Sequence, residues 1–259
     1  MQRLGMSACV CLLLVGNCAS AQIKDKDLKV YLEGVTERGR ALYEYDQAAW
    51  HGTDTFFDLH PDTSGLTHYI CTKTPKGWEI IFPKWNALHD RLLVAYEAIA
   101  SGEPGKFKAI RHDPPWEGPD DLIAKERALE LALETFPHAN RPYNSAILQA
   151  PAGNLYVYLY PGQVKDTDWP LGGDVRYTIS ANGKQIIETR QLHKAILDME
   201  FKPGETPVAG YHVHVLSDVP EDTDVFYVLN RKPALPEYVG GGKHIFIIAT
   251  DGTITVTKR

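Results

Sequence analysis

The stretch Tyr211-His212-Val213-His214-Val215-Leu216-Ser217-Asp218-Val219-Pro220-Glu221-Asp222-Thr223-Asp224 gathers the residue types that do chemistry. Side chains alternate along a β-strand, so His212 and His214 point to the same face, near enough for two imidazole nitrogens to reach one metal ion. The acids that follow offer a third ligand, which Asp224 is expected to supply. Zinc held by two imidazoles and a carboxylate keeps an open position, and a water there becomes acidic enough to attack an amide or ester near neutral pH. The competing expectation makes the two histidines a polar stripe on a half-exposed strand and 217–224 a solvated turn. His244 would add a third imidazole if its strand paired with that of His212, but the sequence does not fix sheet order.

Other signatures of catalysis are missing. No G-x-S-x-G elbow occurs, and the chain beyond its N-terminal leader contains neither H-E-x-x-H nor C-x-x-C. Gly240-Gly241-Gly242-Lys243 lacks the first glycine of a phosphate loop and carries His244 where Ser or Thr would meet magnesium. It reads as a flexible turn into the last hairpin. Tyr156, Tyr158 and Tyr160 give one strand an aromatic face, either exposed to a partner or, as expected, buried beneath a helix. Trp50-His51 with Asp54 and Asp58 reads as a cleft or, as expected, as a tryptophan packed on the sheet beside a solvated acidic helix face.

The elements that must position these residues follow from periodicity. Leu28, Tyr31, Leu32, Val35, Leu42, Tyr45 and Ala49 recur at three- and four-residue steps, which describes one long amphipathic helix. Beyond His60-Pro61, strands are expected at 68–73, 78–82 and 91–97, with Pro75-Lys76-Gly77 as a hairpin turn. The Pro- and Gly-rich segment 104–119 reads as a connection. Asp120 or Asp121 then caps a helix carrying Leu122, Leu129, Ala132, Leu133 and Phe136 and stopped by Pro137. Strands are expected at 144–149, 155–160, 174–181 and 184–191, the last two joined by Asn182-Gly183. The remainder adds strands at 212–216 and 225–229, then a hairpin around Asp251-Gly252. The expected fold class is α+β, with two helix-plus-antiparallel-meander units and a C-terminal β-rich extension.

Composition supports a folded chain: 259 residues, 44% hydrophobic, 23% charged and 10% aromatic. A net charge of -6, from 33 acids against 27 bases, gives no electrostatic reason to expect nucleic acid or an anionic membrane as partner. Arg3, the apolar run 4–15 and the small residues Ala19-Ser20-Ala21 predict a signal peptide over 1–21, cleaved before Gln22. The run is short for a membrane span, and no later segment has the required length of uncharged residues, so no transmembrane segment is expected after cleavage. The same reading makes the protein exported, periplasmic or secreted. Cleavage also removes Cys9, Cys11 and Cys18, leaving Cys71, which is expected to be a small buried core thiol with no disulfide partner.

One helix across an antiparallel meander, used twice between residues 28 and 191, resembles cystatin-like and PepSY-like arrangements, a likeness of topology that carries no site. The stretches 45–51 (Tyr-Asp-Gln-Ala-Ala-Trp-His) and 172–183 (Gly-Gly-Asp-Val-Arg-Tyr-Thr-Ile-Ser-Ala-Asn-Gly) resemble a family of exported bacterial proteins of unknown activity. His212, His214 and Asp224 are similar to the motif of JAMM-type zinc metallopeptidases, which implies a zinc hydrolase with those three ligands. In that motif a longer spacer precedes the Asp, a Ser lies within it and a Glu base stands upstream. Here nine residues separate His214 from Asp224, Asp222 stands where the serine is expected, and the upstream base is unassigned, Glu188 lying on a strand.

The organisation read from the sequence is therefore a signal peptide (1–21), a first helix-plus-sheet unit (22–103), a connecting segment (104–119) and a second unit with a C-terminal hairpin (120–259). Two functions follow from it. The first is a non-catalytic exported protein without cofactor that binds an envelope or extracellular protein, peptide or glycan. The second is a zinc-dependent hydrolase centred on His212, His214 and Asp224.

Overall fold

The computed structural model describes residues 25–137, 140–165, 167–200, 204 and 206–258. The expected signal peptide lies outside the described residues. Among the described residues no helix is long and apolar enough to cross a membrane. The fold is α+β, with three helices and four sheets among these residues.

The long helix α1 spans Asp25–Phe57, two turns beyond the expected stripe, and buries Leu28, Leu32, Val35, Leu42, Tyr45, Ala48, Ala49 and Phe56. The chain then forms a four-stranded antiparallel meander of β1 (Ile70–Thr74), β2 (Gly77–Trp85), β3 (Leu92–Ala100) and β4 (Phe107–Glu117). β4 occupies most of the segment expected to be a connection. Its Pro114 and Pro115 are tolerated because β4 is an edge strand and because a register shift opposite Val94–Tyr96 leaves residues 112–115 out of the ladder.

Helix α2 (Asp120–Thr135) follows, with Pro119 rather than an aspartate at its N-cap; Asp120 and Asp121 lie in the first turn, where the helix dipole favours their charge. It packs against the second antiparallel sheet, ordered β5 (Tyr143–Gln149), β6 (Leu155–Pro161), β8 (Val175–Ile179), β9 (Ile186–Gln191). Alternation along β6 divides that sheet's burial. Val157 and Leu159 pack under α2 with Leu129 and Ala132, while Tyr158 and Tyr160 pack under α1 with Leu42 and Tyr45. The tyrosine stripe is thus buried beneath a helix, as expected, and Cys71 is buried in the same core. Trp50 departs from expectation: it is 52% exposed rather than packed on the sheet, while Asp54 and Asp58 are exposed.

A two-stranded and a four-stranded sheet complete the described residues. β7 (Asp168–Gly172), inserted between β6 and β8, pairs with β10 (Ile196–Glu200). β11 (Gly210–Val213) runs parallel to β12 (Glu237–Gly241), which continues antiparallel through β13 (His244–Ile248) and β14 (Ile254–Lys258). The run 225–229, expected as a strand, is helix α3 (Asp222–Asn230). Five apolar residues suit either element, and a capping box decides: Glu221 accepts from the Asp224 backbone, and the Asp224 carboxylate accepts from the Glu221 N–H at 2.7 Å. Gly240-Gly241 likewise belongs to β12 rather than to a loop.

Helix α3 lies directly on α1, and Gly39 is what allows the approach. A Cβ there would stand 2.5 Å from Val225 Cβ and 2.6 Å from the Asp222 carbonyl oxygen. Backbone on one side and a β-branched side chain on the other cannot yield as a flexible side chain would. Gly39→Ala should therefore destabilise the protein by about 1–3 kcal/mol despite the better helix propensity of alanine, read as a lower urea midpoint at unchanged slope. An unchanged or higher midpoint would show that the two helices can separate freely.

Candidate metal centre

The first two candidate ligands are His212 on β11 and His214 one residue past its end, which simple alternation places on one face. Residues 211–215 run exposed, buried, exposed, buried, exposed, so His212 and His214 turn inward together, and the His214 N–H is tied to the Gly240 carbonyl at 2.9 Å. Asp224 arrives in the first turn of α3, its Oδ2 held by the Glu221 N–H. His193 follows β9, in the turn whose Leu192 N–H donates to the Asp174 carbonyl at 3.1 Å. The ligand atoms of His193, His212, His214 and Asp224 all lie within 4.8 Å of one another. His193 carries no spacing signal and went unidentified in the sequence. His244 does not join: β12 stands between its strand and that of His212.

The hydrogen bonds around the cluster fix the direction of every ring. His193 Nδ1 donates to Asp174 Oδ1 at 2.8 Å, and His212 Nδ1 donates to Glu237 Oε1 at 2.9 Å. His214 Nδ1 donates to Ser217 Oγ at 3.1 Å, since that hydroxyl spends its own proton on the Val219 carbonyl at 2.7 Å. In each neutral imidazole the Nε2 lone pair therefore points inward. His193 Nε2 lies 3.0 Å from His214 Nε2 and 3.0 Å from Asp224 Oδ1, while His214 Nε2 lies 3.0 Å from Asp224 Oδ2. His212 Nε2 lies 3.1 Å from Asp224 Oδ1, an ion-pair separation that lacks hydrogen-bond geometry.

Such a convergence of lone pairs repels itself unless a positive charge sits in the middle. Burial opposes charge on His193, but Asp174 and Asp224 outweigh it and raise its pKa well above the usual value. For His212 the same balance, with Asp224 and Glu237, gives about 9. Burial alone would raise Asp224, yet His214 and His193 hold it well below the carboxylate range. The pocket is built for a cation, either protons or a metal ion. The four separations of 3.0–3.1 Å, three of them shared between the two Asp224 oxygens, approach the edge of about 3.3 Å for a tetrahedron of bonds near 2.0 Å, while the whole set of ligand atoms spans up to 4.8 Å. Imidazoles oriented by outward carboxylates are the usual surroundings of a bound zinc.

The other residues weighed from the sequence lie elsewhere. Glu188 is exposed and accepts from Thr178 Oγ1 at 3.2 Å, so it faces away from the centre. Asp222 is buried but accepts from Arg38, Arg176 and Tyr158. The segment 219–224 is buried rather than a solvated turn. A cavity of about 190 Å³ opens on His193, His212 and His214, walled by Leu171, Leu192, Leu197 and Leu216. The chain matches no protein-family model, no curated protein and no solved structure.

The outward carboxylates should matter almost as much as the ligands. Asp174→Asn keeps the shape at His193 but weakens the acceptor that fixes its tautomer, and should lower zinc affinity about 10- to 100-fold in chelator competition. Glu188→Gln should leave affinity unchanged. Equal affinities for wild type and Asp174→Asn would remove Asp174 from any role in ordering the centre.

Proposed function

We propose that this protein is a zinc-dependent hydrolase whose metal is held by His193, His212, His214 and Asp224. The supporting observation is the inward convergence of three Nε2 lone pairs and a carboxylate, each imidazole being oriented from outside by its own acceptor. The donor set contains no thiolate. Structural zinc sites are characteristically rich in cysteine, whereas imidazole with carboxylate is the chemistry of catalytic ones. The cavity on the imidazole side gives water and a substrate acyl group a route to the ion. Four protein donors complete a tetrahedron, so zinc there would polarise a carbonyl and bring a water's pKa toward neutrality by expanding to five-coordination.

The chain's own residues have definable parts in this chemistry. Asp224, fixed by the Glu221 N–H, contributes the one anionic ligand and so lowers the net charge of the centre to +1. Asp174 and Glu237 keep the Nδ1 protons on the outer side of two rings, leaving Nε2 free to bind. Leucine walls exclude bulk water and favour an apolar acyl group beside the scissile bond. The likeness of His212, His214 and Asp224 to JAMM-type peptidases supports the same reaction class, with His193 as an additional ligand. The second reading, a non-catalytic exported binding protein, needs neither zinc nor turnover.

Elemental analysis of untagged protein should find about one zinc per chain, lost in a folded His193→Ala, His214→Ala variant. The zinc form should cleave short-chain p-nitrophenyl esters or acyl peptides, and chelator should abolish cleavage until zinc is restored. Bound zinc without turnover on either substrate class would leave a metal-binding protein and end the hydrolase reading. No metal uptake at all would favour the non-catalytic binding protein.

A further inference from the structure

A second concavity lies on the other side of α3, away from the histidines. It has a volume of about 420 Å³, within the usual range for small-molecule sites. Its walls are aromatic: Trp50 from α1, Tyr69 ahead of β1, Tyr160 at the end of β6, Trp169 from β7 and Tyr227 from α3. Asp46 is its one charged lining residue, and among the described residues no Lys, Arg or His lines it. Asp46 Oδ1 accepts from Tyr160 Oη at 2.8 Å. Arg141, next in sequence to the lining residue Pro142, donates to Asp198 at 2.8 Å and to the Gly162 carbonyl at 2.9 Å.

We infer that this cavity is a binding site for a small organic cation, an amine or guanidinium, received by the Asp46 carboxylate and the surrounding aromatic side chains, among which Tyr227 already carries the Arg231 guanidinium over its ring at 4.7 Å and Trp50 stacks on His51. Aromatic faces carry negative potential and attract cations, most strongly where water is excluded. A carboxylate at the end of such a box supplies the opposite charge and a hydrogen-bond acceptor. A neutral polar ligand would leave that carboxylate uncompensated. Burial opposes the charge on Asp46 and raises its pKa to about 6, the cost that a bound cation would offset. Tyr69, Tyr160, Cys71 and Tyr227, the other titratable groups around it, are pushed upward by burial and stay neutral through this range.

Calorimetric titration of the full chain with benzylamine, with benzyl alcohol as its uncharged counterpart and with glucose, tests the site. Benzylamine should bind about tenfold more tightly than benzyl alcohol at pH 7.5, and Asp46→Asn should erase that preference. Wild-type affinity for the amine should fall about tenfold between pH 7 and pH 5 as Asp46 takes up its proton, and Asp46→Asn should show no such fall. Trp169→Leu should weaken amine and alcohol alike, which keeps the test informative if Asp46→Asn does not fold. Equal affinity for amine and alcohol, binding of glucose alone, an amine affinity unchanged in a folded Asp46→Asn, or no binding of any probe would each overturn the assignment.

Discussion

Three acidic residues at the start of α3 are buried almost completely, and the arrangement of the surrounding elements satisfies them. Glu221, Asp222 and Asp224 are 2%, 0% and 0% exposed. A carboxylate removed from water costs several kcal/mol unless it is paired and hydrogen-bonded. Glu221 takes Arg190 from β9 at 2.6 Å. Asp222 takes Arg38 from α1 at 2.9 Å and Arg176 from β8 at 2.7 Å, with the Tyr158 hydroxyl of β6 at 2.7 Å. These bonds fasten the helix to α1 and to the second sheet at once. Breaking one partner from such a network typically costs about 3–5 kcal/mol, because the remaining charge stays buried.

Asp224 differs from its two neighbours in having no arginine. Its partners are three imidazoles, and these compensate its charge only as imidazoliums or through a shared metal ion. The fastening of Glu221 and Asp222 therefore has a consequence for chemistry: it fixes where the third acid must stand. One outer acceptor of the rings is fixed in the same manner. Glu237 is held by Arg231 at 2.7 Å, and Gly210 leaves it room, since a Cβ there would fall 2.7 Å from Arg231 Nη1. A rigid anion, rings of set tautomer and a small apolar opening together make a preorganised centre.

The same helix and the strand beside it separate two sites of opposite character. Along β7, Trp169 and Pro170 line the aromatic cavity while Leu171 and Gly172 line the opening to the histidines. On α3, Asp224 faces the imidazoles and Tyr227 the aromatic cavity. One cavity is lined by imidazoles whose lone pairs face inward, and the other by a single carboxylate among aromatic rings.

The sequence by itself determined whatever depends on local periodicity and turn chemistry. The α1 stripe, the α2 apolar face, the Asn182-Gly183 hairpin and the common face of His212 and His214 all follow from neighbours within a few residues. Only the tertiary structure decided the rest. The 225–229 run became helix because a capping box and buried ion pairs outweighed a β-compatible composition, and β4 formed through proline residues because they fall where its register with β3 shifts on an edge strand. His193 joined the centre across chain separations of 19 to 31 residues, through contacts that no spacing encodes. A strand's alternation is a property of its backbone, whereas the fourth side chain of a metal centre is a property of which elements pack together.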